Sequence, residues 1–202
     1  MTTESSIAQS TEAQIREEQA HEAAENSKFG FIVFLLSETV IFLSFFAGYI
    51  IYKTTLPDWY PPGVTGLDTK DPQFNTIILV SSSFVIYVAE RYLHDKKLWG
   101  FRFFLLATMA MGGYFLYGQA VEWSNLSFGF TSGIFGGLFY LLTGFHGLHV
   151  FTGILLQTIM LGRSFIPSNY DSGYFGVEAT SLFWHFVDVI WIILYVLIYV
   201  WQ

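Results

Sequence analysis

Two histidines stand three residues apart in Thr143-Gly144-Phe145-His146-Gly147-Leu148-His149-Val150, inside a long apolar run. Residues at i and i+3 share a helix face, so both imidazoles are expected to point roughly the same way and could reach one ion. A third histidine, His185, precedes Asp188 by the same spacing, at which a carboxylate can orient an imidazole. Glu38 and Glu178 lie in other apolar runs, and Gln119 and Glu122 share a face in a further one. An ionised group at mid-membrane costs roughly 2.5–3.5 kcal/mol on insertion scales. Glu38, Glu178, His185 and Asp188 are therefore expected to be paired, protonated or hydrogen-bonded to one another.

Two readings of the histidines stand side by side: a metal or haem site, and a helix–helix hydrogen-bond network. The second weighs more, because the chain offers no zincin, haem-attachment or carboxylate-bridge motif and intramembrane polar groups commonly join helices. Glu38 has three readings: a proton carrier, a lipid-headgroup contact, or a protonated carboxyl bonded to a neighbouring helix. No Gly-rich phosphate loop, nucleophile elbow or catalytic triad is present. No catalytic residue, metal ligand or cofactor ligand is assigned to this chain.

The elements that must position these groups follow from composition. Only 12% of the 202 residues are charged against 53% hydrophobic, about half the charged share of a soluble domain. The apolar residues come in five blocks, about 29–52, 74–93, 101–121, 134–161 and 177–201. Each is long enough for a helix across a bilayer core of about 30 Å. Their continuous apolarity excludes the alternation of a membrane barrel. The expected fold is an all-α bundle of five transmembrane helices. Pro57, Pro61, Pro62, Gly63, Gly66 and Pro72 make residues 53–73 a loop. The chain has no cysteine, which excludes disulfides and thiolate metal sites, and no basic cluster points to nucleic acid.

Residues 1–28 carry six Glu against Arg16 and Lys28. They read as an acidic, flexible tail, in which Thr11 and Gln14 have capping-box spacing for a short helix. The tail lacks the pattern of a signal peptide. With this end cytoplasmic, Arg16, Lys28, Arg91, Lys96, Lys97, Arg102 and Arg163 lie inside, and only Lys53 and Lys70 outside. That bias places the C-terminus on the outer side. Trp59, Tyr60, Trp99, Trp123 and Trp201 suit the interfacial belts.

At 100° per residue the polar groups fall into stripes. Glu178, Ser181, His185, Asp188, Tyr195 and Tyr199 share about a third of the last span, whose remainder is expected to meet lipid. Phe139, Thr143, His146, Gly153 and Gln157 line the fourth, with His149 at the edge. Ser83, Tyr87, Glu90 and His94 line the second. The pair Gly133 and Gly137, with Gly112, Gly113, Gly144, Gly147 and Gly153, offers small surfaces for close helix approach.

Four stretches resemble subunit III of the haem–copper oxygen reductases, above all of cytochrome c oxidase. They are Leu36-Ser37-Glu38-Thr39, Gln119-Ala120-Val121-Glu122-Trp123, Thr143 to Val150, and Phe175-Gly176-Val177-Glu178-Ala179 followed by Trp184-His185-Phe186-Val187-Asp188-Val189-Ile190-Trp191. The resemblance covers roughly residues 29–202 and leaves the acidic tail outside. It implies a non-redox chain packed on subunit I, which holds haem and copper, reduces oxygen and pumps protons. Subunit II holds copper where the donor is cytochrome c. It also implies support of proton uptake, protection of subunit I and bound phospholipid. Glu38 falls on the family's buried carbodiimide-reactive glutamate, and His146, His149, Glu178, His185 and Asp188 fall on other signature positions. The long form of the family has seven helices, and the five spans here look like its last five, a form that looks bacterial. The motif wording is closer to the cytochrome c branch than to quinol oxidases or nitric-oxide reductases. The alternative from another class is an independent transporter or a metal- or haem-binding membrane protein using His146 and His149.

Overall fold

The computed structural model describes residues 2–64, 66–167, 170 and 173–201, with side chains for residue 22 and from residue 25 onward. Among them all regular structure is helical, with no strand. The helices are α1 (Thr2–Thr55), α2 (Lys70–His94), α3 (Leu98–Asn125), α4 (Gly133–Arg163) and α5 (Phe175–Tyr195), the last continued by a π-helical turn, Val196–Val200. Five spans are long and apolar enough to cross a membrane: Glu25–Thr55, Lys70–His94, Leu98–Asn125, Gly133–Arg163 and Phe175–Val200. The chain is a multi-pass membrane protein, and the first four spans are each a few residues longer than their apolar blocks. Residues up to Glu38 form one compact unit and residues from Thr39 another. The first is the N-terminal part of α1. Its backbone is helical from Thr2, while the side chains of the expected capping pair Thr11 and Gln14, and of Arg16, lie outside those described.

In the second unit α2, α3, α4 and α5 pack as a ring, each against two neighbours. The C-terminal part of α1 lies against it through Phe42, whose ring is 5.1 Å from those of Phe145 and His149. Lipid supplies no hydrophobic drive for this packing, so small residues and interhelical hydrogen bonds must hold it. Both converge on two tryptophans of α5. Trp184 is fully buried, and its indole N–H donates to Ser82 Oγ on α2 at 2.8 Å. Its ring lies between Gly112 of α3 and Gly153 of α4; a Cβ on either would sit 2.5 Å or 2.6 Å from it. Trp191, two turns on, donates to Thr76 Oγ1 on α2 at 2.9 Å and packs edge-on against Phe115 of α3.

Several expectations change. α5 does not bury only its polar stripe: Val177, Phe183, Trp184, Val187, Ile190, Trp191 and Leu194 are buried too, because α5 packs against both α2 and α4. Gly133 does not serve helix packing; it has φ +92°, a conformation that favours glycine at the start of α4, and nothing lies within 4 Å of a Cβ there. Gly113 likewise faces open space. Pro72 sits in the first turn of α2 rather than in the loop, where no intrahelical N–H bond is lost. Trp59 is buried, edge-on to Tyr49 and Phe135, and holds its part of the loop to the bundle. Trp99 is 80% exposed.

Two further details fix the ends. α2 closes in a Schellman turn, with Lys97 N–H donating to Tyr92 O and Lys96 N–H to Leu93 O, both at 2.8 Å. Lys96 holds the left-handed position, φ 59°, usually given to glycine. At the same end Arg102 donates to Ser164 Oγ at 2.9 Å, and Tyr170 O–H donates to Met160 O at 2.6 Å. Burial pushes the Tyr170 phenol above its ordinary range, with Arg163 pulling the other way.

Candidate functional site

The conspicuous histidines do not converge. Residues at i and i+3 are separated by 300°, so their directions differ by about 60°. On α4 that angle sends the rings to different neighbours. His146, with no exposed surface, packs against Trp191 at 4.8 Å and edge-on to Phe115 at 5.7 Å. Neither ring nitrogen has a hydrogen-bond partner among the described residues. His149 turns toward Phe42, Phe145 and Phe183, and its Nδ1 lies 2.8 Å from Phe145 O, one turn back on its own helix. The expected interhelical hydrogen bonds of His146 are thus replaced by aromatic packing. Among the described residues no group of three or more His, Cys, Asp or Glu could hold a metal ion.

The other polar residues do gather, in two places. At the middle of the bundle α2 and α5 bring together Ser83, His185 and Asp188. Ser83 Oγ is 2.9 Å from His185 Nδ1, and its hydroxyl bonds Asp188 Oδ2. Ser181 Oγ lies 3.4 Å from His185 Nε2. The direct pairing expected of His185 and Asp188 therefore runs through a serine of another helix. Asp188 is only 3% exposed, whereas Ser83 and His185 are half-buried. Continuing along α2, Glu90 and His94 stand 3.8 Å apart toward the 95–97 turn.

The second gathering is at the opposite end. Gln119 Nε2 donates to Glu122 Oε2 at 2.9 Å, and Tyr199 O–H donates to Glu122 Oε1 at 2.8 Å. Glu122 thereby ties α3 to the π-helical turn, whose i→i+5 geometry recurs in the bond from Trp201 N–H to Val196 O at 2.8 Å. Glu122 also faces a cleft of about 590 Å³ between α2 and α3, with Asp68, Asp71, Asn75, Tyr114 and Tyr117 among its walls. Glu178 opens α5 in its first turn, and Glu38, half-buried, ends the N-terminal unit.

Sequence reasoning missed Ser82 and Thr76 as acceptors for the tryptophans. The available signal was the seven-residue spacing of Trp184 and Trp191, which puts two indole N–H groups on one face and requires two acceptors opposite.

The family described as cytochrome c oxidase subunit III matches residues 7–202. The match reaches into the acidic segment that the sequence motifs left outside. The chain is 45% identical over 172 residues to cytochrome c oxidase subunit 3 of Synechocystis sp., covering 85% of this chain and 74% of that one. It is 42% identical over 182 residues to the subunit 3 of Thermostichus vulcanus, covering 90% of each. The subunit 3 of Oryctolagus cuniculus is 36% identical over 182 residues, 86% of this chain and 69% of that one.

Proposed function

Because the chain belongs to the cytochrome c oxidase subunit III family, we propose that it is the non-redox third subunit of a proton-pumping cytochrome c oxidase. It packs on a subunit I that holds haem and copper, beside a subunit II that holds copper, and it stabilises subunit I, supports its proton uptake and holds phospholipid. It works in a bacterial energy-transducing membrane, with its N-terminus cytoplasmic and its C-terminus outside. The observation that carries this reading is the interior itself. The space enclosed by α2 to α5 is filled by Trp184, Trp191, Phe115 and His146 packed on one another, an arrangement suited to a rigid partner. The apolar outer surfaces, such as Ile32, Leu36, Val40 and Leu43 on α1, suit lipid and a neighbouring subunit.

Purification through a tag on this chain tests the reading. The chain should bring down subunits with haem and copper absorption and show none when separated from them. Isolation as a lone chain, or stoichiometric haem or metal on the separated chain, would overturn it. Glu38 is the proposed proton-uptake or lipid-contact residue. Glu38→Gln should leave haem spectra unchanged but slow proton uptake or shorten the working life of the enzyme. Unaltered turnover, pumping and longevity would reduce Glu38 to a packing residue.

A further inference from the structure

We propose that Ser83, His185 and Asp188 form a mid-membrane proton-holding site, in which one bound proton is shared between imidazole and carboxyl through the serine hydroxyl. The inference starts from hydrogen counting. Ser83 Oγ is bonded to both His185 Nδ1 and Asp188 Oδ2, yet a hydroxyl has a single hydrogen to give. When it donates to Asp188, His185 must donate from Nδ1 to the serine oxygen. When Asp188 carries the proton and donates to the serine, the hydroxyl is free to donate to a bare Nδ1. Both arrangements satisfy the serine hydroxyl, His185 Nδ1 and Asp188 Oδ2 with the same heavy-atom positions.

The two arrangements are joined by a balanced proton shift. A proton arriving at Nε2 makes His185 a cation opposite the Asp188 carboxylate. The Nδ1–H bond then breaks as an O–H bond forms at Ser83, while the original serine O–H breaks as an O–H bond forms at Asp188 Oδ2. No electrons are transferred, and the serine ends as it began. An imidazolium and a carboxylate become a neutral imidazole, protonated at Nε2, and a neutral carboxylic acid. In an apolar medium two neutral groups are favoured over two ions unless further bonds support the charges. Asp188 lacks that support: it is 3% exposed, and its Oδ1 has no hydrogen-bond partner among the described residues.

Asp188 is buried and His185 only half-buried, so the ring is the member of the pair nearer the outside of the chain. On α2, Glu90 follows Ser83 by two turns, and His94 stands 3.8 Å from Glu90, exposed beside the 95–97 turn. The other titratable groups near the site are Tyr87 and Arg91 on α2, bonded to each other. On α5 itself Glu178 precedes His185 by two turns and Tyr195 follows Asp188 by two turns. From α4, His146 packs on Trp191 and His149 on Phe183. The site goes beyond the proposed subunit role and needs only α2 and α5, so its failure would leave that role standing.

Infrared titration of the purified assembled complex tests it, with wild type beside Asp188→Asn, Ser83→Ala and Ser83→Thr. Wild type should show a protonated-carboxyl band that shifts in D₂O, is absent in Asp188→Asn, and changes at the same midpoint as the His185 ring band. Interacting groups titrate as a pair. Without the hydroxyl, in Ser83→Ala, the two midpoints should part by about one pH unit or more, whereas Ser83→Thr should keep them together. If Ser83→Ala does not assemble, the carboxyl band lost in Asp188→Asn and the shared wild-type midpoint still decide. A carboxyl band that Asp188→Asn leaves intact, or midpoints in Ser83→Ala that still coincide, would overturn the proposal.

Discussion

A methyl group on Gly153 has nowhere to go. An ideal Cβ there would lie 2.6 Å from Trp184 Cε3 and 2.8 Å from Cζ3, where unstrained carbons keep about 3.5–4.0 Å. The shortfall is about 0.9 Å, taking the lower limit. The indole has little freedom to take up that displacement: its far edge faces Gly112, where an added Cβ would also come within 2.5 Å of the ring, and its N–H is held by Ser82. Gly153→Ala should therefore cost about 1–3 kcal/mol of overpacking, plus about 1 kcal/mol if the ring retreats far enough to break its bond. Gly113→Ala is the matched control, since a Cβ there meets nothing within 4 Å; it should fall within about 0.5 kcal/mol of wild type. The assay is reversible denaturation of the chain in mixed micelles, or the temperature at which it leaves the complex. Combining Gly153→Ala with Trp184→Phe should recover part of the loss, with a coupling of about 1 kcal/mol or more. Gly153→Ala as mild as Gly113→Ala, or strictly additive with Trp184→Phe, would refute the wedge.

Lys96→Gly should raise stability by about 1 kcal/mol, since it relieves a left-handed conformation that costs an L-residue roughly 1–2 kcal/mol; equal melting of the two chains would contradict this. Tyr199→Phe removes one of the two donors to Glu122 and should cost about 1–3 kcal/mol, seen as release of the C-terminal turn in hydrogen exchange. Tyr170 tests pH. Burial raises its folded-state pKa, so the stability it contributes is present below about pH 10, the unfolded phenol value, and is lost as pH rises through the folded value. Tyr170→Phe should lack that alkaline loss, and an identical alkaline profile would exclude it.

The spans were legible because their signal is one-dimensional: apolar length against bilayer thickness. The stripe on α4 was legible for a similar reason, and Thr143, His146 and Gln157 are indeed buried. What stayed hidden depended on a second helix. Ser83 was placed on the polar stripe of α2, but nothing in the run Ser81-Ser82-Ser83 tells which hydroxyl meets His185 and which meets Trp184. Gly112 and Gly153 read as generic small surfaces until both proved to flank the same indole. The direction of Trp59 depends on how the 56–69 loop folds back, which composition does not specify. At His146 and His149 the i, i+3 spacing still leaves an offset of about 60°, enough to send two rings on one side of α4 to different neighbours.

Trp184 and Trp191 belong to the last of the five spans in chain order, yet they fill the space among α2, α3 and α4, all made before it. During synthesis α2, α3 and α4 must therefore wait in the bilayer with Ser82, Thr76, Gly112 and Gly153 facing a gap. Their final registration follows the arrival of α5, in a docking stage separate from insertion. A chain interrupted before residue 184 lacks both indoles and cannot complete that stage.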